Sequence, residues 1–319
     1  FLRIIDATTG ATVSSIPITL PGRTVGWANG LAKHPQTGQL FAILSLLPDC
    51  GGSGPCAREL VTIEPNSGVA TDIGNTGDAF AGLAFNAAGT LYGVTGDGAI
   101  NLVPETLYTL NTANAAPTFV KTLGNGDAGE TIAFNPNDGL IYHASGLNSK
   151  VFETINPNTL PVTNIPLSGF VYQEGVALTF WQSQGVFLMI DTPGFPPNLM
   201  RVTPSGVVTF VANVDHFSKG LAPTGSGSKI FNVDCSQIFL QDAVNAAQPG
   251  DTILVSGFCA ENVLVRNDKV RLFLDGGGTA VIDGFDLTKP AVDIRGKAIA
   301  IQRFTIFDGS SGIAVQRGA

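Results

Sequence analysis

Charged side chains are few in this sequence, 13% of 319 residues against 44% hydrophobic. So little charge excludes a disordered, strongly solvated chain and leaves one able to bury a large core. No run of about 18 apolar residues occurs, which excludes a helical membrane span. Methionine (2), tryptophan (2) and histidine (3) are rare. The four cysteines form no Cys-x-x-Cys pair, and no histidine stands at zinc-finger spacing from them, which excludes the common zinc modules. No phosphate loop, dinucleotide fingerprint or Ser–His–Asp pattern is legible. No signal peptide is present, yet the chain begins at Phe1 inside a strand pattern and stops in mid-pattern at residues 313–319. This reads as a processed chain whose leader is gone and whose natural sequence continues.

What is abundant is glycine (39) and proline (19), the currency of tight turns between short strands. The net charge of −8 is uneven. Residues 1–227 carry 8 basic and 15 acidic side chains, a net of −7; residues 228–319 carry 9 and 10, a net of −1. An acidic first part repels phosphate backbones, so nucleic acid is not an expected partner. The simplest use of the cysteines is two local disulfides, Cys50–Cys56 and Cys235–Cys259, which need an oxidising compartment. The expected location is therefore secreted, extracellular or at the cell surface, with the bacterial periplasm as second choice.

One phrase recurs through the first 227 residues. A strand ends in a turn at Leu2–Asp6, Leu60–Glu64, Leu107–Asn111, Val151–Asn156 and Leu199–Thr203. A small-residue strand follows at Gly30-Leu-Ala32, Gly82-Leu-Ala84, Thr131-Ile-Ala133, Gly175-Val-Ala177 and Gly220-Leu-Ala222. The period is roughly 45–50 residues, that of a four-stranded propeller blade. Small residues mark the innermost strand, A, where inner strands crowd the central channel. The chain starts on a C strand and a D strand (1–18), runs through four A–D blades, and supplies a fifth A strand at Lys219–Thr224 with a B strand available at 229–233. The expected fold class is thus all-β: a five-bladed β-propeller over 1–227, its last blade closed by both ends, followed by a second module over 228–319.

The second module opens on one helical pattern, 236–247, with Ser236 as its N-cap and positions 239, 240, 243, 244 and 247 on one face. Short strands separated by Asp-Gly, Arg-Gly and Gly-Gly turns follow. Residues 240–255, Glu261-Asn262 and 277–284 (Gly-Gly-Thr-Ala-Val-Ile-Asp-Gly) resemble the N-terminal end of right-handed parallel β-helix proteins, the pectin-lyase-like superfamily. The resemblance covers about 229–319 and implies a short right-handed parallel β-helix whose helix caps the stack. It implies no catalytic residue, because the family places its carboxylates and basic residues on later coils.

Chemistry-bearing residues gather at one predicted place. The residue before each A strand, together with the D–A loops, brings Asn29, Glu130, Glu174, Lys219, Asp127 and Asp215 to the channel mouth, with Asp78 and His216 nearby. Such a ring could take a cation through oxygen ligands or hold a polar small molecule; calcium is the one cofactor it suggests, and no metal set is defined. His34, His143 and His216 fall at different heights and read as separate structural residues. Asp283, Asp286, Asp293 and Asp308 recur along the coils, where the choice is between turn residues and an acid/base pair. The functional expectation is a non-enzymatic structural or adhesive protein that associates with itself or with a cell-surface or carbohydrate partner, filament formation included. The alternatives are a polysaccharide lyase or glycosidase on the β-helix, and a cation- or small-ligand-binding propeller.

Overall fold

The computed structural model describes residues 1–50, 56–96, 98–123, 130–147, 150–223, 230–247, 251–267, 269, 272–296 and 299–316. The chain divides into two units, Phe1–Pro223 and Thr224–Ala319.

The first unit opens with a hairpin, β1 (Leu2–Ile5) and β2 (Thr12–Ile16). Four antiparallel sheets follow. The first blade is β3 (Thr24–Lys33), β4 (Leu40–Leu47), β5 (Glu59–Ile63) and β6 (Ala70–Asn75). The second is β7 (Phe80–Phe85), β8 (Leu91–Thr95), β9 (Thr106–Leu110) and β10 (Pro117–Thr122). The third is β11 (Thr131–Asn135), β12 (Leu140–Ser145), β13 (Val151–Ile155) and β14 (Val162–Asn164). The two-residue β15 (Ser168–Gly169) pairs in parallel with the outer strand of the fourth blade, which is β16 (Gly175–Trp181), β17 (Val186–Asp191), β18 (Asn198–Val202) and β19 (Val207–Asn213). Strand order in every blade is sequence order, so each is a meander. The core lies between blades: Ile43, Leu60, Leu83 and Tyr108 pack between the first two, Val94, Leu107, Ile132 and Ile141 between the second and third, and Tyr142, Phe152, Phe187 and Met200 between the third and fourth.

The motif glycines have a common cause. A Cβ on Gly82 would fall 3.0 Å from the Thr131 Cα, and one on Gly30 would fall 3.2 Å from the Leu83 nitrogen. Each innermost strand is pressed against the next, and a side chain would hold them apart. Gly220 stands in the same relation to Gly30, with its Cβ position 2.7 Å from the Leu31 nitrogen, and the Gly30 N–H donates to the Lys219 carbonyl at 2.6 Å.

The expected fifth blade is not assembled. Among the described residues four blades are complete. Its outer pair exists as β1–β2, with Leu2 packed on the first blade and Ile5 on the fourth. Its inner segment, Lys219–Leu221, lies beside β3 without forming a ladder, and Leu221 packs on the fourth blade. The B strand expected at 229–233 is taken elsewhere: β20 (Ile230–Asp234) pairs in parallel with β21 (Thr252–Ser256) of the second unit. Among the described strands it pairs with none of the first unit.

The second unit is a β-solenoid of about three coils. β21, β22 (Phe258–Ala260) and β23 (Val263–Val265) make the first; β24 (Phe273–Gly284) and β25 (Val292–Ile294) the second; β26 (Ala300–Asp308) and β27 (Ile313–Val315) the third. All pair in parallel from coil to coil. Val255, Val265, Leu274, Ile282 and Val292 fill the interior. One helix, α1 (Leu240–Ala246), covers the first coil through Leu240, Ala243 and Val244. It is shorter than the expected 236–247, and Ser236 does not cap it. Its first turn is capped from a distance, by Glu261, whose carboxylate accepts the Leu240 and Gln241 N–H groups at 2.6 and 2.9 Å. Its C-terminal carbonyls, Asn245 and Ala247, accept from the buried Lys269 ammonium at 2.7 and 2.8 Å. Negative charge at the start and positive charge at the end both suit the peptide dipoles. Asn262 pins the next coil by donating to the Pro290 carbonyl at 2.9 Å and accepting from the Asp286 N–H at 2.7 Å. The Glu261-Asn262 pair therefore ties three segments together.

Both expected disulfides form, Cys50–Cys56 and Cys235–Cys259, with Cα–Cα distances of 5.3 and 5.0 Å. The second joins the end of β20 to β22, a coil further on, and closes a loop worth about 3 kcal/mol of lost chain entropy in the unfolded state.

Candidate functional site

The residues expected at the channel mouth divide into separate networks. Asn29 is buried on β3 and stands 3.5 Å from the Ser45 hydroxyl. Glu174, half-buried before β16, accepts from the Thr192 hydroxyl at 3.0 Å, while its own N–H donates to Asp191. Lys219 is exposed. Asp215 is exposed, accepts from the Thr12 hydroxyl at 2.8 Å and pairs with the His216 ring, tying the N-terminal hairpin to the connection after β19. Those hydrogen bonds hold its carboxyl below the usual range. Asp127 lies outside the described residues.

Glu130 belongs to a cluster that no single motif announces. It precedes β11 and is 2% exposed. Its carboxylate meets the His143 Nε2 on β12 and accepts from the Ser145 hydroxyl two residues further along. The other ring nitrogen, Nδ1, lies 2.9 Å from Glu153 on β13. His143, Ser145 and Glu153 are completely buried. The ladder explains the meeting: Ile132, His143 and Glu153 are direct partners across β11, β12 and β13, so all three point to one face. Glu130 and Ser145, each two residues away, share it. Ile132 packs there against Val94 and Leu107 of the second blade.

The same row in the other blades is apolar. Across strands A, B and C the row is Leu31, Ala42 and Val61 in the first blade, Leu83, Gly93 and Tyr108 in the second, and Leu178, Met189 and Met200 in the fourth, where the register shifts between Gly175 and Ala177 and Val176 takes the place next along the face. The third blade alone puts an imidazole and a carboxylate there. His143, expected to be a lone structural residue, is instead held between two acids.

Carboxylates accept and do not donate, so a ring flanked by two of them needs a proton on each nitrogen. Burial by itself pulls the imidazole pKa down. The charge and hydrogen bond of Glu130, then those of Glu153, outweigh it and hold it at about 9. The imidazole is thus doubly protonated at neutral pH, held between the two acids in a buried seam.

Two further buried acids serve the backbone. Asp78 accepts from the Ala79, Ile100, Asn101 and Leu102 N–H groups at 2.6–2.8 Å; burial pushes its carboxyl up, but these bonds win and hold it below the usual range. Asp191 accepts from the Gln173 and Glu174 N–H groups, both at 2.8 Å, and from the Asn198 amide at 2.9 Å. Both fix connections on the B–C and D–A side of the blades. Among the described residues no group of three or more His, Cys, Asp or Glu side chains is placed to hold a metal ion.

On the solenoid, Asp275 forms a two-pronged pair with Arg303 of the next coil, and its carboxyl is held well below the usual range, first by that hydrogen bond. Asp286 pairs with Lys289 at 2.7 Å and Asp293 with Arg295 at 2.7 Å. Asp283 differs. It neighbours Asp308 of the following coil; desolvation, the Asp308 charge and a hydrogen bond to it all raise its pKa. Phe258 and Phe307 face outward on the same strands, ring centroids 6.1 Å apart.

No protein-family model and no curated protein matches the chain. Solved structures with a similar arrangement include a nidogen/laminin complex, with a TM-score of 0.43 and 13% identity over 62% of this chain and 69% of that one. TolB from Acinetobacter baumannii gives 0.41 and 12% over 58% and 43%, so this chain spans less than half of its length. A protein of unknown function from Bacteroides caccae gives 0.43 and 12% over 69% and 93%.

Proposed function

We propose that this is a non-enzymatic extracellular or cell-surface protein that works by adhesion or assembly, with the propeller as its contact platform. One observation carries the reading. Glu130, Asp78 and Asp191 of the B–C and D–A side are turned inward, to His143 and to backbone N–H groups, while Trp27, Ile100, Val171, Phe195 and Phe217 stand exposed there, beside the exposed Asp215 and Lys219. Phe195 and Phe217, from two different connections, approach to 5.7 Å between ring centroids. Exposed aromatic groups on braced loops suit contact with another surface rather than turnover of a substrate. Two disulfides support an oxidising location. The test is a Phe195→Ser/Phe217→Ser double variant, compared with the parent by light scattering, negative-stain microscopy and adsorption to cells. Association that weakens several-fold in the variant supports the reading. Equal behaviour, with the parent monomeric and non-adherent, overturns it.

A second reading, a carbohydrate-active enzyme on a pectin-lyase-like β-helix, is favoured by the Asp283–Asp308 pair. Glycoside hydrolysis needs one carboxyl held protonated as the acid, and the Asp283 pKa is raised by desolvation and then by Asp308, with Phe258 and Phe307 on the same outer face. Cleavage of a pectin or alginate panel that disappears in Asp283→Asn would move the assignment here; an inert panel removes it. A calcium-binding propeller keeps Glu174 and Asp215 as its remaining described candidates, and calorimetry with calcium tests it.

A further inference from the structure

We propose that Glu130, His143 and Glu153 form a proton-operated lock on the third blade, closed while the imidazole carries both protons and released when it loses one. The cluster joins strands A, B and C of that blade in a single row, between side chains that no water reaches. With the ring doubly protonated, every contact is a donor facing an acceptor. Removing one proton leaves a bare ring nitrogen against a carboxylate oxygen, lone pair to lone pair, and two negative charges in a seam with no remaining counter-charge on the ring. Loss of the Nε2 proton pushes strand A away from strand B at its mouth-side end, where Glu130 immediately precedes β11, and loss of the Nδ1 proton pushes strand C away from strand B at Glu153.

Few other groups can answer that change. The facing side chains of the second blade are Ala84, Tyr92, Val94 and Leu107, of which only Tyr92 titrates, and its pKa is raised by burial. On the opposite face of β12 lies Tyr142, pushed up to about 12 by burial and then by Asp138. Among the described residues Glu130 and Glu153 are therefore the acids on the ring, and both tyrosines lose their protons later than His143.

The sign follows from the shift. An unfolded imidazole has a pKa near 6.5 and the folded one about 9. The stabilisation is fully present below pH about 6.5 and is lost as pH rises through about 9. Two measurements on the intact chain test this. The first follows the ring nitrogen shifts by NMR, with His34→Gln and His216→Gln variants assigning the other two histidines. We expect both His143 nitrogens protonated at pH 7, with a midpoint near 9. Glu153→Gln, which keeps a polar partner but removes the charge, should lower that midpoint by about one pH unit or more, a tenfold loss of proton affinity. The second follows hydrogen exchange of residues 131–135, 140–145 and 151–155. After correction for intrinsic rates, their protection should fall between pH 8 and 10 ahead of the strands of the other blades. A neutral ring at pH 7, a midpoint unmoved in a folded Glu153→Gln protein, or protection lost equally in all blades would each overturn the proposal. Should Glu153→Gln not fold, the titration and exchange of the unaltered chain still decide it.

Discussion

The second and third blades are both four-stranded meanders with the same B–C pairing, yet they fill one row in opposite ways. In the second blade the row is Ala81, Gly93 and Tyr108; the Phe80 ring occupies the space beside Gly93, within 2.8 Å of where its Cβ would be. In the third it is Glu130, His143 and Glu153. The backbone does not require the charges, because three blades manage without them. It tolerates them because each is paired, and because a seam between sheets offers no water to compete.

That contrast can be broken from the largest effect downward. Removing one member of the row, as in His143→Ala, leaves two carboxylates buried without their cation. We expect a loss of about 3–5 kcal/mol in urea unfolding; a loss below about 1 kcal/mol would mean that water reaches the seam. Gly206→Ala should cost about 2–4 kcal/mol by thermal or urea unfolding, because its φ is +87° and the new Cβ would collide with the Pro166 carbonyl. Gly139→Ala, with a φ of +75° and open space around it, should cost only about 1 kcal/mol. A still smaller change in stability, neutral or stabilising by less than about 1 kcal/mol, is expected from giving the third blade the row of the fourth, Glu130→Val/His143→Met/Glu153→Met. It should also flatten the decline in stability between pH 8 and 10. If the triple variant loses as much as the single one, the row is needed for more than filling.

The Gly206 result bears on a device repeated twice in this chain. Ile16-Pro17 crosses the Ser67-Gly68 turn of the first blade as Ile165-Pro166 crosses the Ser205-Gly206 turn of the fourth. In each turn the glycine carbonyl accepts a backbone bond from the crossing segment, Gly68 from the Thr19 N–H at 3.1 Å and Gly206 from the Ser168 N–H at 3.0 Å. The hairpin β1–β2 thus leads into the first blade as β13–β14 lead into the fourth. It behaves as the outer half of a blade even though that blade has no B strand.

Much of this was legible in the residues. The recurring Gly-Leu-Ala phrase marked the inner strands, since only a residue without a side chain permits that approach. Both cysteine pairs were near enough in sequence to read as local bridges. The helix was visible but its limits were not, because its caps, Glu261 and Lys269, lie on later coils. Glu130 was singled out for its position before a strand. His143 and Glu153 were not joined to it, because they are 13 and 23 residues further on and meet only through ladder register. A signal did exist: each replaces an apolar residue of the repeat, and both lie on the buried face.

The sequence by itself determined the blades, the inner glycines, the change of pattern after residue 227 and the disulfides, because those depend on local spacing and on residue size. Tertiary structure alone decided the rest. Strand pairing in space placed residues 230–234 in the solenoid, and among the described residues four blades are complete where five were expected. Cross-strand register turned three titratable residues, scattered along the chain, into one buried network. Those outcomes depend on which partner a strand or a charge finds in space, and no spacing along the chain encodes that choice.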